Sequence, residues 1–291
     1  MLLTDLRIHP VKSLAPVPLA RVRVEPWGLA GDRRWMLVDA AGKMVSQRED
    51  PRLGQISPSL PRPGTLLVTA PGAGTLTVAE PQAGPQQDRL LPVTLFGVGF
   101  EAVHAGEEAA AWFSRLLGAE LRLVFQDRAE RRPMPVPTSL ADGYPLLLTS
   151  TASLDALNAH IAADHPDDPV KGAPLPMGRF RANLVVEGAE PWAETGWKRI
   201  RIGGTEFRVE QQCGRCVITT LDPETGERRG PEPLRALARH RRFGDSLAFG
   251  MQMTPLGPAD ELGELRVGDP VTVLESGPLP EPRSRLVPAS E

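Results

Sequence analysis

Ala20-Arg21-Val22-Arg23-Val24-Glu25 alternates charged and apolar side chains with a period of two. That spacing belongs to a strand with one buried face, not to a helix. A glycine-punctuated loop follows, Trp27-Gly28-Leu29-Ala30-Gly31-Asp32, and then a second strand-like run at 34–39. Upstream, residues 4–9 put Leu6 and Ile8 on one face. Downstream, Ala41-Gly42-Lys43 has the composition of a hairpin turn leading into Met44-Val45-Ser46. The first 55 residues read as strands and turns.

The same character continues outward. Residues 61–90 are rich in Pro, Gly and Gln, and the β-formers at 65–69 and 75–79 predict surface hairpins there. Residues 93–103 are again strand-like. A helix is expected over 106–117, where Ala110, Phe113 and Leu117 recur at helical spacing before a Gly118 stop. A strand is expected at 121–125, and the charged, proline-rich 127–137 marks a domain boundary. Beyond it, Thr149, Ser150 or Thr151 caps a helix whose apolar stripe is Leu154, Leu157 and Ile161. A polar loop at 163–176 follows, then strands at 183–186 and 199–209, a short helix at 232–240 and a closing strand at 271–274. The four prolines of 276–291 predict a frayed, disordered tail. Many strands with few helices, and no regular strand–helix alternation, predict an α+β, strand-rich fold built on barrels or sandwiches.

Composition bounds the function. A length of 291 residues predicts about two domains. The net charge of −3 excludes a broadly basic protein that coats nucleic acid, but leaves room for a local basic pocket. Of the 33 basic residues only Lys12, Lys43, Lys171 and Lys198 are lysines, so each lysine is uncommon here. Two cysteines, Cys213 and Cys216, provide no disulfide framework. The N-terminus lacks a basic n-region and a long apolar core, and no run approaches 18 apolar residues. A cytoplasmic protein with neither a nucleic-acid nor a membrane partner is expected.

The most chemical segment is Cys213-Gly214-Arg215-Cys216, followed by strand-like Val217-Ile218. Half of a zinc site is one reading, but four ligands are needed and the five histidines are scattered. A dithiol redox couple is another, without its usual strand-to-helix context. A single ligating or nucleophilic thiolate is a third, favoured by Arg215, because a nearby cation stabilises the metal-binding thiolate form. Two inert buried thiols are the fourth.

Several anion-ready groups accompany it. Lys12 and Ser13, in His9-Pro10-Val11-Lys12-Ser13-Leu14, place an ammonium and a hydroxyl together at a strand exit, though a solvated turn would look the same. Arg33 follows the Gly31-Asp32 turn. In Arg179-Phe180-Arg181-Ala182-Asn183, strand alternation would put Arg179, Arg181 and Asn183 on one face, as ligand contacts or as edge-strand solubilising charges. Ala141-Asp142-Gly143-Tyr144-Pro145 needs no explanation beyond a turn. Together these residues suggest an anionic, metal-bearing cofactor with thiolate ligation.

The ordered set of motifs resembles the two-part MOSC proteins, a molybdenum-cofactor-binding family. The set comprises Pro10-Val11-Lys12-Ser13-Leu14, Gly31-Asp32-Arg33-Arg34-Trp35, Ser46-Gln47-Arg48-Glu49-Asp50-Pro51-Arg52-Leu53, Phe180-Arg181-Ala182-Asn183, Cys213-Gly214-Arg215-Cys216 with Thr219-Thr220-Leu221-Asp222-Pro223, and Val267-Gly268-Asp269-Pro270-Val271. The resemblance implies an N-terminal β-barrel-like domain over 1–126, a C-terminal MOSC β-barrel over 127–275, and a molybdopterin cofactor between them. It implies that Cys216 ligates molybdenum and that Cys213 packs. It assigns pterin and phosphate contacts to Lys12, Ser13, Arg33, Gly143, Tyr144, Arg181, Asn183 and Arg215, and a place near the metal to Asp142, which would position or protonate substrate. The implied activity is reduction of N-hydroxylated small molecules. Some family members carry an iron–sulfur domain, but only two cysteines are present here, so a separate ferredoxin- or flavoprotein-like donor is implied. A cofactor or sulfur carrier is the alternative that the family also offers.

Overall fold

The structure is a computed structural model that describes residues 1–81 and 89–282. Part of the Pro/Gly/Gln-rich stretch, 82–88, and part of the expected tail, 283–291, lie outside the described residues. In chain order the strands are β1 (Leu2–Ile8), β2 (Val17–Pro18), β3 (Arg21–Glu25), β4 (Gly28–Leu29), β5 (Trp35–Asp39), β6 (Ser57–Arg62), β7 (Thr65–Ala70), β8 (Gly74–Ala79), β9 (Leu90–Leu95), β10 (Val98–His104), β11 (Leu121–Phe125), β12 (Leu146–Ser150), β13 (Leu184–Glu187), β14 (Trp197–Ile202), β15 (Thr205–Gly214), β16 (Arg242–Phe243), β17 (Ser246–Leu256), β18 (Glu264–Arg266) and β19 (Val271–Ser276). Among the described residues the α-helices are α1 (Glu107–Leu117), α2 (Thr151–Asp164) and α3 (Leu234–His240). The fold is α+β and strand-rich, as the period-two runs predict.

The chain divides into two units. One comprises Arg7–Pro145 with Pro223–Gly226, and the other Met1–Leu6, Leu146–Asp222 and the chain from Glu227 onward. In the unit containing Arg7–Pro145, β5, β11, β10 and β9 form one antiparallel sheet and β6, β7 and β8 another. Alternation in β3 buries Val22 and Val24 between exposed Arg21 and Arg23. Helix α1 ends at Gly118, whose left-handed conformation (φ 73°) returns its N–H to the Ser114 carbonyl. Its Trp112, Phe113 and Leu117 join Trp35, Leu37, Leu123 and Phe125 in a single core. A second cluster, with Met36, Val38, Val124 and Leu140, fills the other face of the β5–β11 pair.

In the other unit the strand order is β19-β14-β15-β17-β12-β13-β1. Every neighbour pair is antiparallel except β12 with β13. A parallel pair needs a crossover, and α2 provides it. Ser150 is the N-cap, its Oγ accepting from the Ser153 N–H. Leu157 and Ile161 of α2 pack with Phe180, Leu237 and Phe249. Gly250 lies within β17 at φ 80°, and a Cβ there would meet the Leu148 carbonyl at 2.7 Å. Only glycine lets β17 cross β12 so closely.

Four sequence expectations change. The run 93–103 is a hairpin, because Phe96 and Gly97 both take positive φ and reverse the chain. The run 199–209 is also a hairpin, folded at Gly203-Gly204. Residues after the cysteine motif form a 3₁₀ turn, Val217–Thr220, and the strand β15 precedes the motif instead. The alternation read around Phe180 fails as well. Met177–Phe180 is a 3₁₀ turn and Arg181 is left-handed at φ 53°, so Arg179 and Arg181 do not share a strand face. Of the expected tail, Ser276 still belongs to β19. No helix among the described residues is long and apolar enough to cross a membrane.

Candidate functional site

The first cluster lies in the unit containing Arg7–Pro145. The chain leaves β1 through Val11, a buried anchor, and Lys12 donates its N–H to the Trp35 carbonyl at 2.7 Å. Ser13 then adopts φ 70°, and the Gln47 side-chain amide donates to its carbonyl at 2.6 Å. Arg33 is held at φ 49° from both sides: its N–H donates to the His9 carbonyl and its own carbonyl accepts from Leu140. Its guanidinium bonds the Asp32 carboxylate at 2.5 Å, and Asp32 also accepts the His9 N–H at 2.7 Å. Burial works against Asp32 ionisation, but Arg33 and His9 outweigh it and hold that carboxyl below its ordinary range.

Lys12 is almost fully buried, and its ammonium donates to the Leu140 carbonyl at 2.8 Å and to the Asp142 carboxylate. Asp142 itself is exposed. Arg132, 3% exposed, donates to the carbonyls of Ser139, Ala141 and Asp142 and so clamps the loop that carries Asp142. Gly28 allows this loop to come close, since a Cβ there would stand 3.2 Å from the Pro145 carbonyl. Gly143 and Tyr144 are half-buried members of the same loop.

The electrostatics are one-sided. Lys12, Arg33, Arg48 and Arg132 surround two carboxylates, Asp32 and Asp142. Burial lowers the Lys12 pKa, Asp142 restores part of it, and Arg33 and Arg132 lower it further. Desolvation alone would raise the Asp142 carboxyl, but Lys12 first, then Arg33 and Arg48, hold it well below the usual carboxylate range. Burial brings Arg132 down to about 10. Such an excess of closely held cations suits an anionic ligand.

The second cluster lies in the other unit. Asn183 is buried and locked to β12, its N–H donating to the Leu147 carbonyl at 2.9 Å and its side-chain oxygen accepting from the Leu147 N–H at 3.2 Å. Arg179, expected beside Arg181, instead points to the carbonyls of Thr219 and Leu221 and braces the turn after the cysteines. Cys213 and Cys216 are both half-buried and neither is in a disulfide. Arg215 donates to Cys213 Sγ at 2.8 Å and to the Phe180 carbonyl at 2.6 Å, so its cation meets the earlier cysteine directly. Cys216 is extended, and its carbonyl receives both the N–H and the hydroxyl of Thr219.

The structure thus joins Lys12, Ser13, Arg33 and Asp142 in one cluster, and Asn183 and the cysteine motif each lie within the other unit. Sequence reasoning missed Arg132, Gln47 and Arg48. Gln47 and Arg48 stand in the Ser46–Leu53 motif. Arg132 sits in a proline-rich stretch with no signal beyond its charge. Ser13, Arg33 and Arg181 share one backbone feature: they are three of the five described non-glycine residues at positive φ, a conformation that costs energy and so has to be held by the surrounding structure.

The residues fit the cofactor implied by the motifs. Arg215 Nε and Arg132 Nε are buried donors without a hydrogen-bond partner, a cation-rich cluster exists for a phosphate, and two thiols, neither in a disulfide, are of the type that a soft metal takes. The model of the MOSC N-terminal beta barrel domain matches residues 1–120, and that of the MOSC domain matches residues 135–272. Mitochondrial amidoxime reducing component 2 of Homo sapiens is 32% identical over 283 residues, covering 91% of this chain and 81% of that protein. Mitochondrial amidoxime-reducing component 1 of Xenopus laevis is 29% identical over 291 residues, covering 93% of this chain and 81% of that protein. Molybdenum cofactor sulfurase of Danio rerio is 34% identical over 264 residues, covering 86% of this chain and 31% of that protein. The chain belongs to the MOSC family, in the arrangement that places a MOSC N-terminal β-barrel domain before a MOSC domain.

Proposed function

We propose that the protein is a molybdenum-cofactor-dependent oxidoreductase that reduces N-hydroxylated compounds with electrons from a separate donor protein. The overall change consumes two electrons and two protons, breaks the N–O bond and releases water. The cofactor, when bound, supplies the two-electron chemistry.

Cys216 holds the metal through its thiolate. Lys12, Ser13, Arg33, Gly143, Tyr144, Arg181, Asn183 and Arg215 hold the pterin and its phosphate, each charged hydrogen bond contributing about 1.5–3 kcal/mol. Asp142, kept ionised by its cationic neighbours, is a poor proton donor and a charged hydrogen-bond acceptor. Its part is to orient the N–H groups of the substrate, not to protonate them. The donor is of ferredoxin or flavoprotein-reductase type.

The observation that carries this proposal is the coincidence of left-handed strain with the motif residues Ser13, Arg33 and Arg181. The relatives named amidoxime-reducing components support the substrate class. The test is metal and pterin analysis of protein purified from a cofactor-competent host, combined with benzamidoxime reduction under an artificial donor. Stoichiometric molybdenum with turnover is expected, and protein without molybdenum overturns the proposal.

A second function, carriage of the cofactor or its sulfur, is favoured by the sulfurase relative and by the half-buried Cys213 under Arg215. A persulfide on either cysteine by mass spectrometry, without N-reduction, identifies it.

A further inference from the structure

Phe96 stands out on three counts. It is a central residue of the two-residue β9–β10 turn, where φ is 50° at Phe96 and 81° at Gly97. Such turns ask for Asn, Asp or Gly, and a bulky side chain is out of place there. Burial does not compensate, because Phe96 is 49% exposed while Phe100 on the same hairpin faces the core. Finally, the Lys12 ammonium and the Arg48 guanidinium each lie 5.3 Å from the Phe96 ring centroid.

Arg48 belongs to a turn that the proposed function leaves unused. Ser46 and Glu49 close it through hydroxyl-to-carboxylate and N–H-to-carboxylate bonds of 2.6 and 2.9 Å, and the Arg48 N–H donates to Ser46 Oγ. Gln47 of the same turn supports the strained Ser13. Asp142 feels Arg48 as well as Lys12. Ring, two cations and exposed carboxylate are therefore neighbours, with Lys12 touching both Phe96 and Asp142.

We propose that Phe96 and Arg48 form a subsite for the planar, conjugated part of a substrate whose amidine-type head is held by Asp142. This rests on the proposed function and extends it to substrate selection. A carboxylate accepts from the amino N–H of a planar amidoxime head, and from both nitrogens of the protonated amidine it becomes. A ring bonded directly to that head reaches the open part of Phe96 and stacks on it in the offset or edge-to-face manner of aromatic pairs. Arg48 supplies a second planar surface beside the ring, which guanidinium groups offer and ammonium groups do not. An alkyl substituent finds no stacking partner there, so the subsite discriminates by conjugation.

The experiment compares benzamidoxime with acetamidoxime as substrates, and benzamidine with acetamidine as ligands, on the full cofactor-loaded chain. The variants are Phe96→Leu and Phe96→Tyr. Phe96→Leu is expected to raise KM for benzamidoxime about fivefold more than KM for acetamidoxime, with molybdenum content unchanged. Phe96→Tyr, which keeps the ring, restores the preference. Calorimetric binding shows the same contrast between benzamidine and acetamidine without depending on turnover. Equal losses for both members of a pair, or no rescue by tyrosine, overturn the subsite. Wild-type protein that lacks molybdenum and reduces neither amidoxime overturns the proposed function, while the two amidines still decide the role of Phe96.

Discussion

Lys12 and Asp142 form an ion pair in which the cation is buried and the carboxylate side chain is 63% exposed. Lys12 thus serves as a fixed positive floor and Asp142 as the group that meets incoming molecules. Asp142→Asn removes the charge but keeps the shape. Its kcat/KM for benzamidoxime is expected to fall about 10- to 100-fold, the value of one charged hydrogen bond. Undiminished turnover per molybdenum removes Asp142 from the site.

The same pair sets a pH response. The folded-state pKa of Asp142 is depressed, so its contribution to stability is present above about 3.9, the ordinary value, and is lost as the pH falls through the folded value. In Lys12→Met the nearest cation is gone, so the carboxyl moves upward toward its ordinary value. Carboxyl NMR titration should find Asp142 ionised throughout pH 4–7 in the wild type and titrating at higher pH in the variant. Superimposable titrations contradict this account of the pair.

Cys216→Ala is expected to abolish molybdenum retention, whereas Cys213→Ala retains the metal and loses only the Arg215 contact. Inductively coupled plasma analysis of both purified variants decides the matter. Metal loss in Cys213→Ala alone reverses the assignment of the two sulfurs.

Arg132→Lys replaces a fork that serves three carbonyls by a single ammonium. Charged hydrogen bonds lost in a buried site should cost about 2–4 kcal/mol and lower the thermal midpoint by several degrees. Because the clamped loop carries Asp142, kcat should fall along with stability. A melting curve identical to that of the wild type denies Arg132 the role of a clamp.

Glu194 is fully buried, accepts a hydrogen bond from Ser153 at 2.8 Å, and has one carboxylate oxygen without a partner. Burial raises its pKa, with Ser153 and Arg241 only partly opposing the shift. The fold therefore prefers the protonated form, and stability is lost as the pH rises from about 4.3 through the folded value. Glu194→Gln should remove that loss, so the urea midpoints of the two proteins diverge as pH increases. Parallel midpoints show that Glu194 does not titrate in this way.

Much of the fold was legible because period-two alternation survives in β3 and the helical stripe survives in α1. What escaped was the position of turns within continuous β-forming runs. Phe96-Gly97 and Gly203-Gly204 reverse the chain inside runs that look unbroken, and at Phe96 the turn overrides the residue's own preference. Strand β17 was missed because Gly250 and Pro255 interrupt its pattern, although close approach to β12 explains the glycine. In the candidate site, Lys12, Ser13 and Arg33 stand in motifs legible in the sequence, whereas Asp142 looks like a plain turn residue there and only the family resemblance singles it out. The alternation used for Arg179 and Arg181 failed, because a 3₁₀ turn replaces the strand there. Arg132 was invisible because its partners are backbone carbonyls, which carry no residue identity.

Strand β1 has its Leu2–Leu6 portion in register with β13, about 180 residues later in the chain, while Arg7 and Ile8 pair with β2 nearby. During synthesis, the Leu2–Leu6 half of this strand must wait for about 180 further residues before it finds its partner. The nearby hairpins can close early, whereas completing the β12–β13–β1 edge is a late, long-range event. Amino-terminal fusions that hinder Leu2–Leu6 should therefore impair maturation of the cysteine-bearing half, although its own sequence is untouched.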